Sequence, residues 1–271
     1  MKDLAPHIHA GETVSGMMGK AVGILLPAVI VSLIFFQLDA LWIILVSLAA
    51  ALLAEVLGGK LLKVRMAPGD GSTVFTALLY ALLLPVDTAL WMVALGAFFA
   101  IFIGKMAYGG LGSNLFNPAL IGRIFLQISF PHAMNWPAII EMAHTPNVFL
   151  IVLAASGFLL LWLKLGDWER VCFYFTAGLI FSVVLKLGPD FFLASSLTYL
   201  IAFFVITDPV TTPMTKKAAI IFSVFAAAIT LFLKSHGANY LQASIYSILI
   251  MNAATPWLDT WFAKRPAKVK S

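Results

Sequence analysis

The sequence predicts an all-α integral membrane protein of about ten transmembrane helices, arranged as two inverted five-helix repeats. Three observations lead there. The first is composition: 62% of the residues are hydrophobic and only 11% are charged, against about 25% charged in soluble domains. The apolar runs are continuous rather than alternating, which excludes a β-barrel. The second is the placement of basic residues, and the third is a repeat in the order of Ser, Gly, Asn and Pro along the chain.

Met1–Lys20 is polar and lacks a short apolar core followed by a small-residue cleavage site, so the first span is expected to remain as an anchor. A helix needs about 20 apolar residues to cross a bilayer core. Candidate spans fall at 21–38, 41–58, 73–86, 88–106, 118–131, 148–164, 170–187, 191–207, 217–234 and 240–258. The runs 73–86 and 118–131 are short, a mark of transporter-like folds built with interrupted helices.

With the N-terminus in the cytoplasm and ten spans following, 14 of the 17 basic residues fall on the cytoplasmic side. The far side holds only Lys186 and Lys234, and Arg123 lies inside the fifth span. That asymmetry places both termini inside, and it accounts for the +5 net charge as topology rather than nucleic-acid binding.

The repeat is read from matched spacings. Ser72 to Pro85 and Ser196 to Pro209 are each 13 residues apart, and Gly112 to Pro131 and Gly237 to Pro256 are each 19, with Asn114 and Asn239 two residues after their glycines. Five spans per half is an odd number, so the second half must be inverted. The expected organisation is a cytoplasmic segment 1–20, a first repeat 21–131, a short extracytoplasmic connection 132–147, a second repeat 148–259 and a basic cytoplasmic tail 260–271.

Gly109–Gly122, GGLGSNLFNPALIG, is the strongest binding-site candidate. Irregular polar backbone at membrane depth is tolerated only where it is buried in protein or lines a cavity. The alternative is a tight turn in which Asn117 is an N-cap and Pro118 the first helical residue. Glu55 in AALLAEVLGGK reads either as a cation ligand or proton carrier, or as an interfacial acid paired with Lys60 or Lys63. Asp208 in ITDPVTTPMTKK lies in a cluster of oxygens with Thr207, Thr211 and Thr212 that suits a hard cation; turn chemistry before the next helix is the alternative. Asp259, after Pro256 and Trp257, reads by default as a solvated acid. Gly69-Asp70-Gly71-Ser72-Thr73 has the form of a backbone nest but lacks the Gly-Lys-Ser/Thr of a P-loop.

The single cysteine, Cys172, excludes internal disulfides and any Cys-ligated iron–sulfur or zinc site built from this chain alone. His7, His9, His132, His144 and His236 are scattered, so no metal site is expected. Neither a Ser-His-Asp nor a Cys-His arrangement is present, and no residue is assigned a catalytic role.

Three motifs carry a family resemblance: PGDGSTVFTALLYALLLP, GKMAYGGLGSNLFNPALIGRIFLQISFP and FFVITDPVTT. Together they resemble the D-type membrane subunit of the Rnf electron transport complex and are similar to the B-type subunit of the Na⁺-translocating NADH:quinone reductase. PHIHAGETVSGMM and AALLAEVL match the Rnf member, and the likeness covers nearly the whole chain. The resemblance implies a ten-helix, two-repeat subunit of a redox-driven Na⁺ or H⁺ pump in the inner (plasma) membrane. It implies a non-covalent flavin, riboflavin or FMN, contacted by Asn114 and Asn117, with Ser72 and Thr76 nearby. It also implies an ion pathway through Glu55, Asp208 and Asp259, and partners among membrane, flavin and iron–sulfur subunits.

One departure from the family is expected to matter. The family joins FMN through a phosphoester to a Thr of a Ser-(Gly/Gln)-Ala-Thr motif on the far side, between spans five and six. Here that connection reads PHAMNWPAIIEMAHTPN and has no such motif; Thr145 precedes a proline. No covalent FMN is expected on this chain. The function expected is therefore that of a shortened Rnf-type membrane subunit. The rival readings are an inverted-repeat transporter of a cation or small solute, and a membrane scaffold for flavoprotein partners.

Overall fold

The computed structural model describes residues 14–63, 70–141 and 146–262. The N-terminal segment up to residue 13, Arg65, Gly69, His144, Thr145 and the tail from residue 263 lie outside the described residues. Among the described residues the structure is all helical, with no strand.

The chain opens with α1, Val14–Leu61, which is broken at Gln37 (φ 46°, ψ −119°). A straight helix would set Met18 and Glu55 about 55 Å apart. Instead, the Met18 side chain lies against Gly71, while Glu55 meets Lys105, which in turn meets Ser72. The element is thus a hairpin whose two limbs, 14–36 and 38–61, run antiparallel. They correspond to the expected spans 21–38 and 41–58, and at about 35 Å each they are long enough to cross a bilayer.

Next come α2 (Ser72–Leu82), α3 (Leu90–Phe102) with a 3₁₀ turn at Met106–Tyr108, and α4 (Pro118–Ser129). After a second 3₁₀ turn, Ile139–Glu141, follow α5 (Pro146–Trp162), α6 (Trp168–Val184), α7 (Pro189–Ala194) and α8 (Ser196–Leu200). A π-helical turn, Ile201–Val205, extends α8, and α9 (Lys216–Ser235) and α10 (Tyr240–Phe262) complete the fold. The expected span 191–207 is not continuous: Ser195 is extended (φ −83°, ψ 121°) and separates α7 from α8. With 11 and 12 residues, α2 and α4 are about 16–18 Å long, half the thickness of a bilayer core.

The inversion of the two halves is visible in which helix ends meet. Helix α2 starts at Ser72 beside Lys105 and ends where Leu84 accepts a hydrogen bond from the Ile139 N–H (2.8 Å). Helix α8 starts at the opposite end of the bundle, against the Ile139–Glu141 turn. There the Thr198 and Tyr240 hydroxyls are 2.7 Å apart. Its π-helical extension leads to Asp208, which meets Asn117 at the start of α4. Asn117 also meets Asn252, late in α10, whereas α10 begins at the far end beside Thr198. So α2 runs against α8 and α4 against α10.

The register differs in one detail from the spacing match. Helices α2 and α8 start 124 residues apart, but α4 and α10 start 122 apart. The counterpart of Asn239, whose side chain accepts from Leu241 N–H, is therefore the capping Asn117 rather than Asn114.

Close helix contact rests on small residues, as expected where lipid supplies no driving force between helices. A Cβ on Gly122 would sit 2.6 Å from the Gly96 carbonyl and 2.7 Å from Ala100 Cβ, which fixes α4 against α3. Gly157 on α5 leaves room for the Phe203 ring of the π turn. The connection after α4 is not a simple external loop. Ala138, Ile139 and Ile140 are fully buried, and their turn closes the far end of the bundle between α1, α5 and α8.

Candidate functional site

A cavity partly open to solvent lies where the start of α2, the start of α4 and the π-helical extension of α8 converge. Phe75, Leu79, Leu160 and Phe204 form apolar walls. Ser72, Thr76, Lys105, Asn114, Asn117, Thr207 and Asp208 contribute the polar edges.

Asn117 takes the capping role that one reading of its sequence gave it, and it also lines the cavity. It is the N-cap of α4: its Oδ1 accepts from the N–H groups of Ala119 (3.1 Å) and Leu120 (3.4 Å). Its Nδ2 donates to Asp208 Oδ2 (3.4 Å), and its backbone N–H donates to Asn252 Oδ1 (3.2 Å). The amide thus bridges the two repeats. Asn114 donates from Nδ2 to the Phe116 carbonyl (3.3 Å), which leaves its Oδ1 as an acceptor. The loop that presents both residues turns through Gly109, Gly110 and Gly112, all at positive φ, where a side chain would be strained.

The lining also carries a buried cation. Lys105 is 3% exposed. Its ammonium donates to Glu55 Oε1 (2.8 Å), Ser72 Oγ (2.7 Å) and Thr73 Oγ1 (2.8 Å). Glu55 therefore pairs with Lys105, not with Lys60 or Lys63, and sits behind it rather than on the cavity surface. The Asp70 carboxylate accepts from both the N–H and the hydroxyl of Ser72.

Asp208 accepts from Val210 N–H (3.0 Å) and Thr211 Oγ1 (2.9 Å). The other threonine oxygens are spent locally: Thr207 donates to the Phe203 carbonyl, and Thr212 donates to the Asp208 carbonyl and accepts from Arg170. The turn is held from beneath by Asn252, which donates to the Thr211 carbonyl (2.8 Å). Asp259 is not brought to the cavity; its carboxylate accepts from the Met214 and Thr215 N–H groups at 3.0–3.1 Å.

The cavity holds charges of both signs. Its lining combines the N-terminal, positive ends of α2 and α4 and the Lys105 ammonium with the Asp208 carboxylate, which meets the N-cap of α4 directly. Half-helix ends arranged this way are the binding-site pattern of inverted-repeat membrane proteins. Among the described residues no group of three or more His, Cys, Asp or Glu is placed to hold a metal ion.

The far end of the bundle carries a second set of buried charges. Arg123, 1% exposed, donates to the Leu83 carbonyl (2.9 Å), Gln127 Oε1 (2.9 Å) and the Met134 carbonyl (3.1 Å). It neutralises the C-terminal end of α2 and ties the connection down. On that connection, burial pushes the Glu141 carboxyl up to about 7, opposed by the Arg123 and Lys234 cations.

The sequence model of the NQR2, RnfD, RnfE family matches this chain twice, over residues 2–149 and 141–268. The chain belongs to this family. The chain is 32% identical to the D-type subunit of the proton-translocating ferredoxin:NAD⁺ oxidoreductase complex of Clostridium ljungdahlii, over 94% of this chain and 92% of the relative. It is 29% identical to the D-type subunit of the Na⁺-translocating ferredoxin:NAD⁺ oxidoreductase complex of Acetobacterium woodii, over 96% and 93%. It is also 29% identical to the D-type subunit of the ion-translocating oxidoreductase complex of Escherichia coli, over 96% of both chains. As a member of the NQR2, RnfD, RnfE family it is a multi-helix membrane protein, and the cavity lies between its two repeats.

Of the residues singled out in the sequence, Ser72, Thr76, Asn114, Asn117 and Asp208 line this one cavity. Glu55 reaches it only through Lys105, and Asp259 does not reach it. Lys105 and Asn252 were missed. Lys105 reads in sequence as one more basic residue after an apolar run, and nothing local marks its partner 50 residues earlier.

Proposed function

We propose that this chain is the D-type membrane subunit of an Rnf/Nqr-type complex that couples electron transfer to translocation of Na⁺ or H⁺. A non-covalent flavin, riboflavin or FMN, occupies the cavity between the repeats. The observation that carries this reading is the lining of that cavity: apolar and aromatic walls with the side-chain amides of Asn114 and Asn117. An isoalloxazine edge presents both donors and acceptors, which amides can match, and a bound flavin would supply the electron-carrying chemistry.

Membership of the family and the names of its relatives support the redox reading. They leave the ion open, since one relative is named for Na⁺ and another for protons. Other membrane, flavin and iron–sulfur subunits of the complex are the partners, the inner membrane is the location, and both termini face the cytoplasm. The connection 132–147 holds no attachment motif for FMN, and no covalent flavin is assigned to it.

In this reading Asp208 and Glu55 serve the ion. Asp259 is left out of the pathway because its carboxylate holds the Met214–Thr215 backbone. The test is the whole complex in proteoliposomes. Asp208→Asn should slow ion uptake relative to electron transfer, and Asn117→Leu should strip flavin from this subunit. Unchanged coupled transport in Asp208→Asn removes that residue from the pathway. Transport that runs without any electron donor would instead favour an inverted-repeat transporter.

A further inference from the structure

The Lys105 ammonium has three N–H donors, and all three are committed, to Glu55, Ser72 and Thr73. Lys105 nevertheless lines the cavity, whereas Glu55 lies behind it. A ligand can therefore be contacted by this cation only if one of the three bonds is given up. Ser72 is fixed by Asp70, and the two hydroxyls are neutral. An incoming negative charge competes most directly with the other negative charge, the Glu55 carboxylate.

We infer that Lys105 is a shared counter-ion: it neutralises Glu55 while the cavity ligand is uncharged and turns to the ligand when that ligand becomes anionic, exposing Glu55 to take up one proton or monovalent cation. The inference deepens the flavin reading above and rests on it. Two electrons and one proton added to an isoalloxazine leave one net negative charge on it. The electrons come from a one-electron donor subunit of the complex, and the proton comes from solvent. Lys105 keeps its own proton, no bond to the protein forms or breaks, and the added negative charge is balanced by the one cation taken up at Glu55.

This gives the buried ion pair a purpose. A buried pair is weak evidence for stability, and a switch is among its better-attested uses. It also gives Glu55 a role that its pairing would otherwise forbid: in the paired state the carboxylate has no need of a cation, and after the exchange it does. Lys105 acts as a positioning residue, coupling the charge in the cavity to the charge behind it.

The test is the flavin midpoint potential of the purified full-length chain, titrated with dithionite at low and high Na⁺ and at two pH values. Lys105→Gln should weaken binding of the reduced form at least tenfold more than binding of the oxidised form, a potential lower by about 30 mV for a two-electron couple. Lys105→Arg should restore the wild-type value. Because Lys105→Gln leaves Glu55 unpaired and can misfold, the Glu55→Gln/Lys105→Gln double variant provides a neutral pair and should show the same lowering. Glu55→Gln alone should abolish the dependence of the potential on Na⁺, or the share of its pH dependence beyond that of the flavin itself, according to which ion is carried.

An unchanged potential in the double variant with flavin retained overturns the inference and leaves the flavin reading standing. Loss of oxidised flavin from Lys105→Gln or from the double variant also overturns it, because Lys105 is engaged with Glu55 in that state. Folded wild-type chain that binds no flavin overturns the flavin reading itself.

Discussion

Replacing Asn117 by Ser separates its two roles. As an N-cap, Asn117 satisfies two N–H groups of α4, and Ser caps about as well as Asn, so capping should change by only a few tenths of a kcal/mol. The bond lost is Nδ2 to Asp208 (3.4 Å). A hydrogen bond to a charged group contributes about 1.5–3 kcal/mol, and the length of this one argues for the lower end. Asn117→Ser should therefore cost about 1–2 kcal/mol of stability, whereas Asn117→Leu loses the cap as well and should cost about 1 kcal/mol more. Both remove the amide from the cavity lining. The assay is thermal unfolding in detergent together with the flavin-to-protein ratio. Asn117→Ser should remain folded and lose most of its flavin; wild-type flavin content in Asn117→Ser would refute the assignment of that amide to the ligand.

Three further outcomes follow from the geometry. Arg123→Met should leave the Leu83 and Met134 carbonyls without their donor and cost about 2–6 kcal/mol, read as a fall in the unfolding midpoint. Gly122→Ala should destabilise by about 1–3 kcal/mol, because its methyl would meet the Gly96 carbonyl and Ala100; an unchanged midpoint would mean that α3 and α4 are free to separate. The Glu141 carboxyl is raised from 4.5 to about 7, so the folded state holds that proton more tightly than the unfolded chain does between those values. Stability should fall as pH rises through this window and level off above it. Glu141→Gln should therefore be the more stable protein at pH 8, by on the order of 2 kcal/mol for a half-buried group, and should match wild type at pH 4.

Much of the fold was legible because membrane helices are declared by long apolar runs, and half-helices by short ones with Gly, Asn and Pro at their ends. Asn117-Pro118 marked the start of α4, and the spacing from Ser72 to Pro85 and from Ser196 to Pro209 revealed the inverted pair α2 and α8. The break at Ser195 was hidden, because the apolar run continues on both sides of it and reads as one span. The inward fold of Ala138–Glu141 was hidden for a similar reason: a short apolar stretch in a connection looks the same whether it faces lipid, solvent or the bundle. The site was half legible. Asn114, Asn117, Ser72, Thr76 and Asp208 sit in motifs, but the Lys105–Glu55 pair and the Asn252 brace join elements 50 and 135 residues apart, and no local pattern encodes such partners. Asp259 shows the converse: an acid at a helix end looks alike whether it serves an ion or, as here, two backbone N–H groups.

The most direct test of a flavin held between the repeats is the spectrum of the purified, folded chain before and after acid precipitation. The expected result is a yellow protein that releases its flavin to the supernatant and leaves a colourless pellet. A folded, colourless chain that takes up neither riboflavin nor FMN would contradict the cavity assignment, and flavin retained in the pellet would contradict its non-covalent attachment.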